Sequence, residues 1–132
     1  MMQVPLLKKN PPYDPIKNFT PVTLVGRYIY VLVAGAQLPV QNAQDLMQLI
    51  RSQPGKFNYG SYSGETQLMF TRLKNEAKLD MNLIPYKGES PTINDILGGH
   101  VQLTFATPAS ALPHIKEGKL KALAMLLPKR WN

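Results

Sequence analysis

Short apolar runs alternate along the chain with segments whose apolar residues recur at helical spacing. The run Val22–Ala34 is rich in β-branched and aromatic residues, which predicts one long strand or two strands hinged at Gly26. Further strands are predicted at Phe57–Ser61, Met81–Tyr86, Val101–Phe105 and Leu120–Leu126. Strand-like runs and helical spacing of apolar residues therefore alternate along the sequence.

Helical segments fill the intervals between these strands. Asn42 suits a helix N-cap, and the apolar residues after it fall on one face until Pro54–Gly55. Ser90 followed by Pro91 predicts another N-cap, for a short helix that ends at Gly98–Gly99. The other two helices are predicted at Glu65–Lys78 and Ala109–Glu117. Alternating strands and helices predict an α/β fold with a mostly parallel sheet and helices on both faces.

Length and composition fit a single α/β lobe spanning residues 1–132, in which residues 1–20 are a Pro-rich lead-in. The chain has 132 residues and is 44% hydrophobic, which is enough for one core. A membrane-spanning helix needs roughly twenty continuous apolar residues, and the longest apolar run, Tyr28–Ala36, is far shorter. The first residues lack the pattern of a signal peptide, so none is expected in this sequence.

Charge and residue types exclude several classes of site. The formal net charge of +7 raises the alternative of a basic module for nucleic acid or anionic surfaces. The basic residues are scattered without interleaved aromatic residues, so we expect no nucleic-acid partner. The chain has no cysteine, and His100 and His114 are not spaced for a metal, so no metal or cofactor is predicted.

Three strand-to-helix turns are candidates for a ligand site: Ser61–Thr66, Lys87–Pro91 and Ala106–Ser110. In α/β sheets such turns gather beyond the carboxyl ends of the strands. Each is rich in Ser, Thr or Gly and opens a helix, whose unpaired N–H groups and dipole attract an anion. The turns therefore predict an anion site, and the alternative is that their Ser and Thr residues serve only as N-caps.

Catalytic motifs are absent from these turns. The segment Gly60–Gly64 has the outline of a nucleophile elbow, but Tyr62 stands where G-x-S-x-G places its serine. No phosphate-loop or dinucleotide motif occurs, and no pair of carboxylates has a spacing suited to acid–base chemistry. Binding is therefore favoured over catalysis. The enzyme alternative is a fragment with Ser61 or Ser63 as nucleophile and His114 as base.

Four longer segments follow one another in an order that covers nearly the whole chain. They are YDPIKNFTPVTLVGR (Tyr13–Arg27), PGKFNYGS (Pro54–Ser61), IPYKGESPTINDILGGHV (Ile84–Val101) and ALPHIKEGKLKALAM (Ala111–Met125). Together they resemble the Bug-type extracytoplasmic solute receptors, which are the substrate-binding proteins of tripartite tricarboxylate transporters.

The resemblance implies a fold, a location and partners. Members of the family are similar to two-lobed periplasmic binding proteins that hold a small carboxylated solute between their lobes, and this chain resembles the second lobe. We therefore expect one lobe of a type II periplasmic-binding-protein-like fold, a periplasmic location and membrane transporter subunits as partners. Without the first lobe the clamp is incomplete. A truncated fragment that binds nothing and self-associates is the alternative.

The resemblance also assigns ligand contacts. In the family, the turn after the NYGS strand and the YKG turn contribute to holding the ligand's carboxylate. Residue by residue, this gives Ser61, Tyr62, Ser63, Gly64 and Thr66 in the first turn, Tyr86, Lys87, Gly88, Ser90 and Pro91 in the second, and Ala106 and Thr107 in the third.

Two residues depart from the family pattern in a way that bears on the ligand. Glu65 puts a carboxylate where the ligand's own carboxylate is expected, which would repel it. Either Glu65 stabilises the helix dipole and points away, or it replaces the missing anion and selects an amine or a neutral ligand. Ala106 replaces the acidic residue that many members carry after the strand-end Phe, which weakens the case for an amino-acid ligand.

The first and last strand runs carry an expectation about assembly. In a two-lobed receptor, Val22–Ala34 and Leu120–Leu127 would run towards the hinge and be covered by the first lobe. Without that cover they should leave an unpaired strand edge or an apolar patch. We therefore expect a homo-oligomer formed by these strands, with exchange of terminal segments as one route.

Overall fold

The computed structural model describes residues 9–14, 16–23 and 26–126. Strands and helices alternate within this part of the chain. They are β1 (Val31–Gly35), α1 (Ala43–Ser52), β2 (Phe57–Ser61), α2 (Gly64–Ala77), β3 (Met81–Pro85), α3 (Glu89–Leu97), β4 (Leu103–Ala106), α4 (Pro108–Lys116) and β5 (Leu120–Met125). The predicted alternation of strands and helices is therefore confirmed.

The first strand is much shorter than its apolar run predicts. β1 begins only at Val31, and residues 26–30 before it form no regular secondary structure. Leu24 and Val25 lie outside the described residues. Tyr28 is 82% exposed, so the run that looked like one long strand includes residues that have no place in the sheet.

The start of α3 also differs from its sequence signal. Its N-cap is Gly88, in an extended conformation, and not Ser90. Ser90 and Pro91 instead lie within the first turn of the helix. Proline is tolerated there because the first N–H groups of a helix have no intrahelical partner. The early start makes Glu89 the first helical residue.

The strands form one mixed sheet in the order β3-β2-β4-β1-β5. β2 is parallel to both β3 and β4, whereas β1 is antiparallel to β4 and β5. Four strands therefore point the same way and β1 runs against them. Because β1 lies between two partners and is buried along its length, this part of the run does not leave the expected unpaired edge, whereas Val22 and Tyr28 before it are exposed. β5 does lie at an edge of the sheet.

Helices cover both faces of the sheet, as predicted. α1 and α2 pack on one face, where Phe70 lies between Tyr59 and Phe105 with ring centroids 4.3 and 4.6 Å away. α3 and α4 pack on the other face, against alternate residues of β1 such as Val31 and Val33. Among the described residues, no helix is long and apolar enough to cross a membrane.

Candidate functional site

The three candidate turns lie side by side at the edge of the sheet that is formed by the carboxyl ends of β3, β2 and β4. This edge is distinct from the edge strands β3 and β5. β3, β2 and β4 are neighbouring parallel strands, so the turns that follow them lie side by side. The Tyr86 N–H donates to the Ser61 carbonyl over 2.8 Å, which ties the first two turns together. Each turn opens a helix, α2 on one face of the sheet and α3 and α4 on the other. Three helix N-termini therefore converge on this edge.

The β2–α2 turn is held by its own side chains. Ser63 is the N-cap of α2, and its hydroxyl accepts from the Thr66 N–H over 3.2 Å. The Thr66 hydroxyl accepts from the Ser63 N–H over 3.1 Å, which completes a capping box. Ser61 Oγ lies 2.9 Å from Thr66 Oγ1, and both side chains are buried. Ser61, Ser63 and Thr66 therefore shape the turn, as the N-cap alternative predicts.

Tyr62 reaches from the β2–α2 turn to β4. Its hydroxyl donates to the Phe105 carbonyl over 3.0 Å. Burial, and then the negative charge of Glu89, raise the pKa of the Tyr62 hydroxyl above its usual range. Tyr62 is thus a neutral hydrogen-bonding side chain, half-buried between the turns.

The β3–α3 turn combines a fixed tyrosine with exposed polar residues. The Tyr86 hydroxyl donates to Asp95 over 2.6 Å, and burial, together with this carboxylate, raises the pKa of Tyr86 to about 12. The Gly88 carbonyl accepts from the Thr92 hydroxyl over 2.8 Å. Lys87, Ser90 and Pro91 are exposed at the rim of the turn. Among the residues of the three turns, Lys87 is the one basic side chain.

Gly60 explains how α3 comes so close to this edge. A Cβ at Gly60 would lie 2.3 Å from Cγ2 of Thr92, which is a severe clash. Gly60 immediately precedes Ser61 in β2, and Thr92 is fully buried. The absent side chain lets the first turn of α3 rest directly on β2, which sets the position of the β3–α3 turn.

The β4–α4 turn carries a contact that sequence reasoning missed. Glu89, the first residue of α3, accepts from the Thr107 N–H, and the Thr107 hydroxyl lies 3.1 Å from each oxygen of the carboxylate. Thr107 Oγ1 is also 3.2 Å from Ser110 Oγ. Ala106 is fully buried and leaves its end of β4 without a polar side chain. With Ser90 predicted as the N-cap, Glu89 falls just before the helix in the sequence, so nothing local marked this contact.

Glu65 belongs to the same edge. It lies in the first turn of α2 as expected, but it does not point away, because it accepts from the Tyr30 hydroxyl over 2.6 Å. Tyr30 immediately precedes β1, whose first residue pairs with the last residue of β4. Burial and the neighbouring Glu65 raise the pKa of Tyr30 above its usual range. Sequence reasoning missed Tyr30, which was assigned to a strand.

The serine–histidine pair of the enzyme alternative is not formed. Ser61 Oγ contacts Thr66 Oγ1 and the Ser63 carbonyl, both within its own turn. Ser63 Oγ contacts Thr66. His114 lies in the last turn of α4, at the opposite end of that helix from the three turns. The geometry of the described residues therefore brings together the predicted ligand-contact turns and leaves the proposed base away from them.

Sequence comparison places the chain among bacterial solute receptors. The model of the tripartite tricarboxylate transporter family receptor, TctC, matches residues 1–132. A UPF0065 protein of Cupriavidus necator is 34% identical over 120 residues, which are 89% of this chain and 36% of that protein. Protein BugT of Bordetella pertussis is 31% identical over 121 residues, with 90% and 37% covered. The chain thus spans little more than a third of the length of these relatives.

Solved structures agree in fold. The periplasmic binding protein BugD superposes with a TM-score of 0.83 at 30% identity, over 98% of this chain and 44% of that one. An R. palustris protein with adipate gives 0.79 at 30% identity, over 93% and 42%. MatC from Rhodopseudomonas palustris, with bound malate, gives 0.81 at 25% identity, over 98% and 44%. The α/β fold is that of periplasmic binding proteins, and the chain belongs to the tripartite tricarboxylate transporter receptor family.

Proposed function

We propose that this chain is the second lobe of a two-lobed solute receptor, and that its three turns form half of a cleft for a small organic acid. The observation that carries the proposal is the convergence of three helix N-termini on one sheet edge, in a chain that belongs to a receptor family. N-terminal N–H groups and the helix dipole favour a carboxylate at such an edge. Two similar structures hold carboxylates, adipate and malate.

The rest of the function follows from the family. We propose that the receptor works in the periplasm and delivers its solute to membrane subunits of a tripartite tricarboxylate transporter. Binding, and no covalent chemistry, is the role that we assign to the turns. The ligand contacts that we propose lie at the turns themselves, in Ser63–Gly64 and Tyr86–Gly88, with Tyr62 between them, whereas Thr107 already donates to Glu89.

One lobe should bind weakly. A small ligand in a complete site is normally buried over 70–90% of its surface, whereas one lobe contacts it from one side only. We therefore expect a dissociation constant for adipate or malate in the millimolar range or weaker, which corresponds to only about 4 kcal/mol of binding free energy. Calorimetry that gave micromolar affinity would contradict the half-cleft interpretation.

NMR can locate the contacts at this affinity. Adipate should be titrated into the isotope-labelled chain up to tens of millimolar while the backbone amide resonances are followed. We expect shifts that increase towards saturation at the β2–α2 and β3–α3 turns, and none at the opposite edge of the sheet, where α1 ends. Shifts spread evenly over the surface, or none at all, would contradict the proposal.

Two lysine variants provide a matched test. Lys87→Met removes the one basic residue of the three turns, whereas Lys116→Met removes an equally exposed lysine at the far end of α4. An exposed ion pair is worth roughly 0.2–1 kcal/mol, so Lys87→Met should weaken adipate binding by a factor of about 1.4 to 5. Equal effects of the two variants would assign the attraction to net charge alone.

A further inference from the structure

The β4–α4 turn already holds an anion, and that anion belongs to the chain itself. One oxygen of the Glu89 carboxylate accepts from the Thr107 N–H, and each of its two oxygens lies 3.1 Å from the Thr107 hydroxyl oxygen. Glu89 comes from a different helix, eighteen residues earlier in the chain. A side chain of α3 therefore sits where an anion at the start of α4 would bind.

The donors at this position suit a carboxylate in kind and in direction. Thr107 is the N-cap of α4, yet its side chain makes no capping hydrogen bond within its own helix. The next residue, Pro108, has no N–H to offer. The Thr107 N–H and hydroxyl both lie within hydrogen-bond distance of Glu89, and the hydroxyl also lies 3.2 Å from Ser110 Oγ in α4. Hydrogen bonds to a carboxylate are charge-assisted and stronger than those to a neutral acceptor.

The charges of the three turns also disfavour a second anion beside Glu89. Their residues include two carboxylates, Glu65 and Glu89, and one cation, Lys87, although the whole chain carries a net charge of +7. Glu65 is held by Tyr30, and Glu89 by Thr107. A second anion brought against Glu89 would meet like charge in a partly buried setting, where repulsion is stronger than in water.

We infer that Glu89 is a specificity-determining residue: its carboxylate fills the anion position at the start of α4, so the end of the solute that faces α4 carries no negative charge. The inference rests on the proposed function. It assigns the solute's carboxylate to the β2–α2 and β3–α3 turns, and a neutral or hydrogen-bond-donating group, such as a hydroxyl or an amine, to the side of Glu89. An ionised carboxylate has lone pairs beyond those that Thr107 uses, which such a donor can reach.

The test removes the Glu89 carboxylate and asks whether a carboxylate of added adipate binds at Thr107 in its place. Glu89→Ser removes the carboxylate, and Glu76→Ser removes the same charge from the exposed face of α2, where Glu76 pairs with Arg72. Adipate, a dicarboxylate, is titrated into both variants and into the unchanged chain, and the amide of Thr107 is followed by NMR. This amide reports on the position directly because its N–H now donates to Glu89.

We expect adipate to shift the Thr107 amide in Glu89→Ser and to bind that variant about tenfold more tightly, a change that corresponds to about 1.4 kcal/mol. In the unchanged chain and in Glu76→Ser, adipate should move the β2–α2 turn and leave Thr107 in place. If Glu89→Ser binds no more tightly than Glu76→Ser while the unchanged chain still binds at the β2–α2 turn, the inference fails and the proposed function stands. If none of the three binds adipate anywhere, both fail.

A second variant covers the case in which Glu89→Ser does not fold. Glu89→Gln keeps the size of the side chain and an oxygen that can accept from Thr107, and it removes only the charge. Adipate binding should then strengthen in the same direction, by less than in Glu89→Ser because the position stays filled. An unchanged dissociation constant in Glu89→Gln would overturn the inference.

Discussion

Replacing Thr66 with valine tests whether one buried hydroxyl organises the β2–α2 turn. Thr66 is fully buried at the start of α2. Its hydroxyl accepts from the Ser63 N–H over 3.1 Å and from the Tyr62 N–H over 3.3 Å, and it donates to the Ser63 carbonyl over 3.0 Å. Valine keeps the shape of threonine and removes all of these contacts, so the variant isolates the hydroxyl.

The expected cost follows from the groups left without partners. A net hydrogen bond is worth about 1 kcal/mol, and a buried polar group left unpaired costs about 1–3 kcal/mol. Tyr62 and Ser63 are only half-buried, so water can reach part of what valine leaves unpaired. The N-cap Ser63 stays in place, so the variant loses only the reciprocal half of the capping box. We therefore expect Thr66→Val to lower the free energy of unfolding by about 2 kcal/mol, or Tm by roughly 6–8 °C.

Urea unfolding followed by circular dichroism measures this change. Thr71→Val is the matched control, because Thr71 lies in the same helix with an exposed hydroxyl that donates to the Gln67 carbonyl, and it should cost no more than about 0.5 kcal/mol. Thr66→Ser keeps the hydroxyl and should lose about 1 kcal/mol, close to the value of one buried methyl group. A Thr66→Val variant as stable as Thr71→Val would refute the reasoning.

Three further predictions concern packing, pH and assembly. Gly60→Ala should lower the free energy of unfolding by about 1–3 kcal/mol, because the added methyl group overpacks against Thr92. At Gly26 the added methyl group meets none of the described atoms within 4 Å, so Gly26→Ala should be nearly neutral in the same assay, and equal losses would contradict the close approach of Thr92 to Gly60. Burial, and then the hydrogen bond to Asp95, raise the pKa of Tyr86 from 10.0 to about 12, so its contribution to stability is complete below pH 10 and is lost as pH rises towards 12. Tyr86→Phe should therefore lose less stability over this interval, and parallel pH profiles of the two proteins would contradict this. We also expect self-association through the edge strand β5, so light scattering after size exclusion should give more than the monomer mass, and a monomer at tens of micromolar would contradict it.

Much of the fold is encoded by local signals. Asn42 caps α1 and accepts from the Asp45 N–H, and α1 ends just before Pro54–Gly55. The strand Phe57–Ser61 has the predicted bounds, and α2 begins one residue before the predicted Glu65. These features depend on dihedral preferences and on hydrogen bonds between residues close in sequence, so the sequence predicts them well.

The errors arise where the answer depends on distant partners. The apolar run before β1 has the composition of a strand, but Tyr28 is exposed. Tyr30, whose carbonyl accepts from the Leu126 N–H just after β5, directs its hydroxyl to Glu65 in α2. The direction of β1 depends on its pairing with β4 and β5, which composition does not encode. The predicted start of α3 at Ser90 failed for a different reason, since Gly88 can take the extended N-cap conformation without a side-chain cap.

The candidate site shows the same division. The three turns were predicted because each carries its own Ser, Thr or Gly signal, and parallel strands bring such turns together. Glu89 was missed because its partner, Thr107, lies eighteen residues away, and the two meet only because α3 and α4 cover the same face of the sheet. With Ser90 predicted as the N-cap, Glu89 was expected to precede α3, and the sequence offers no sign that it contacts the start of a neighbouring helix.

We expect the position of Glu89 to separate ligand choice from stability in this fold. The sheet and its two cores depend on residues such as Phe70 and Ile96, which are fully buried. Glu89 lies at the first position of α3, where most polar residues are tolerated because the helix N–H groups there need no intrahelical partner. If Glu89 sets ligand choice as we infer, a change at this one position would exchange a carboxylate of the chain for one supplied by a solute, while the strands that carry the turns keep their register.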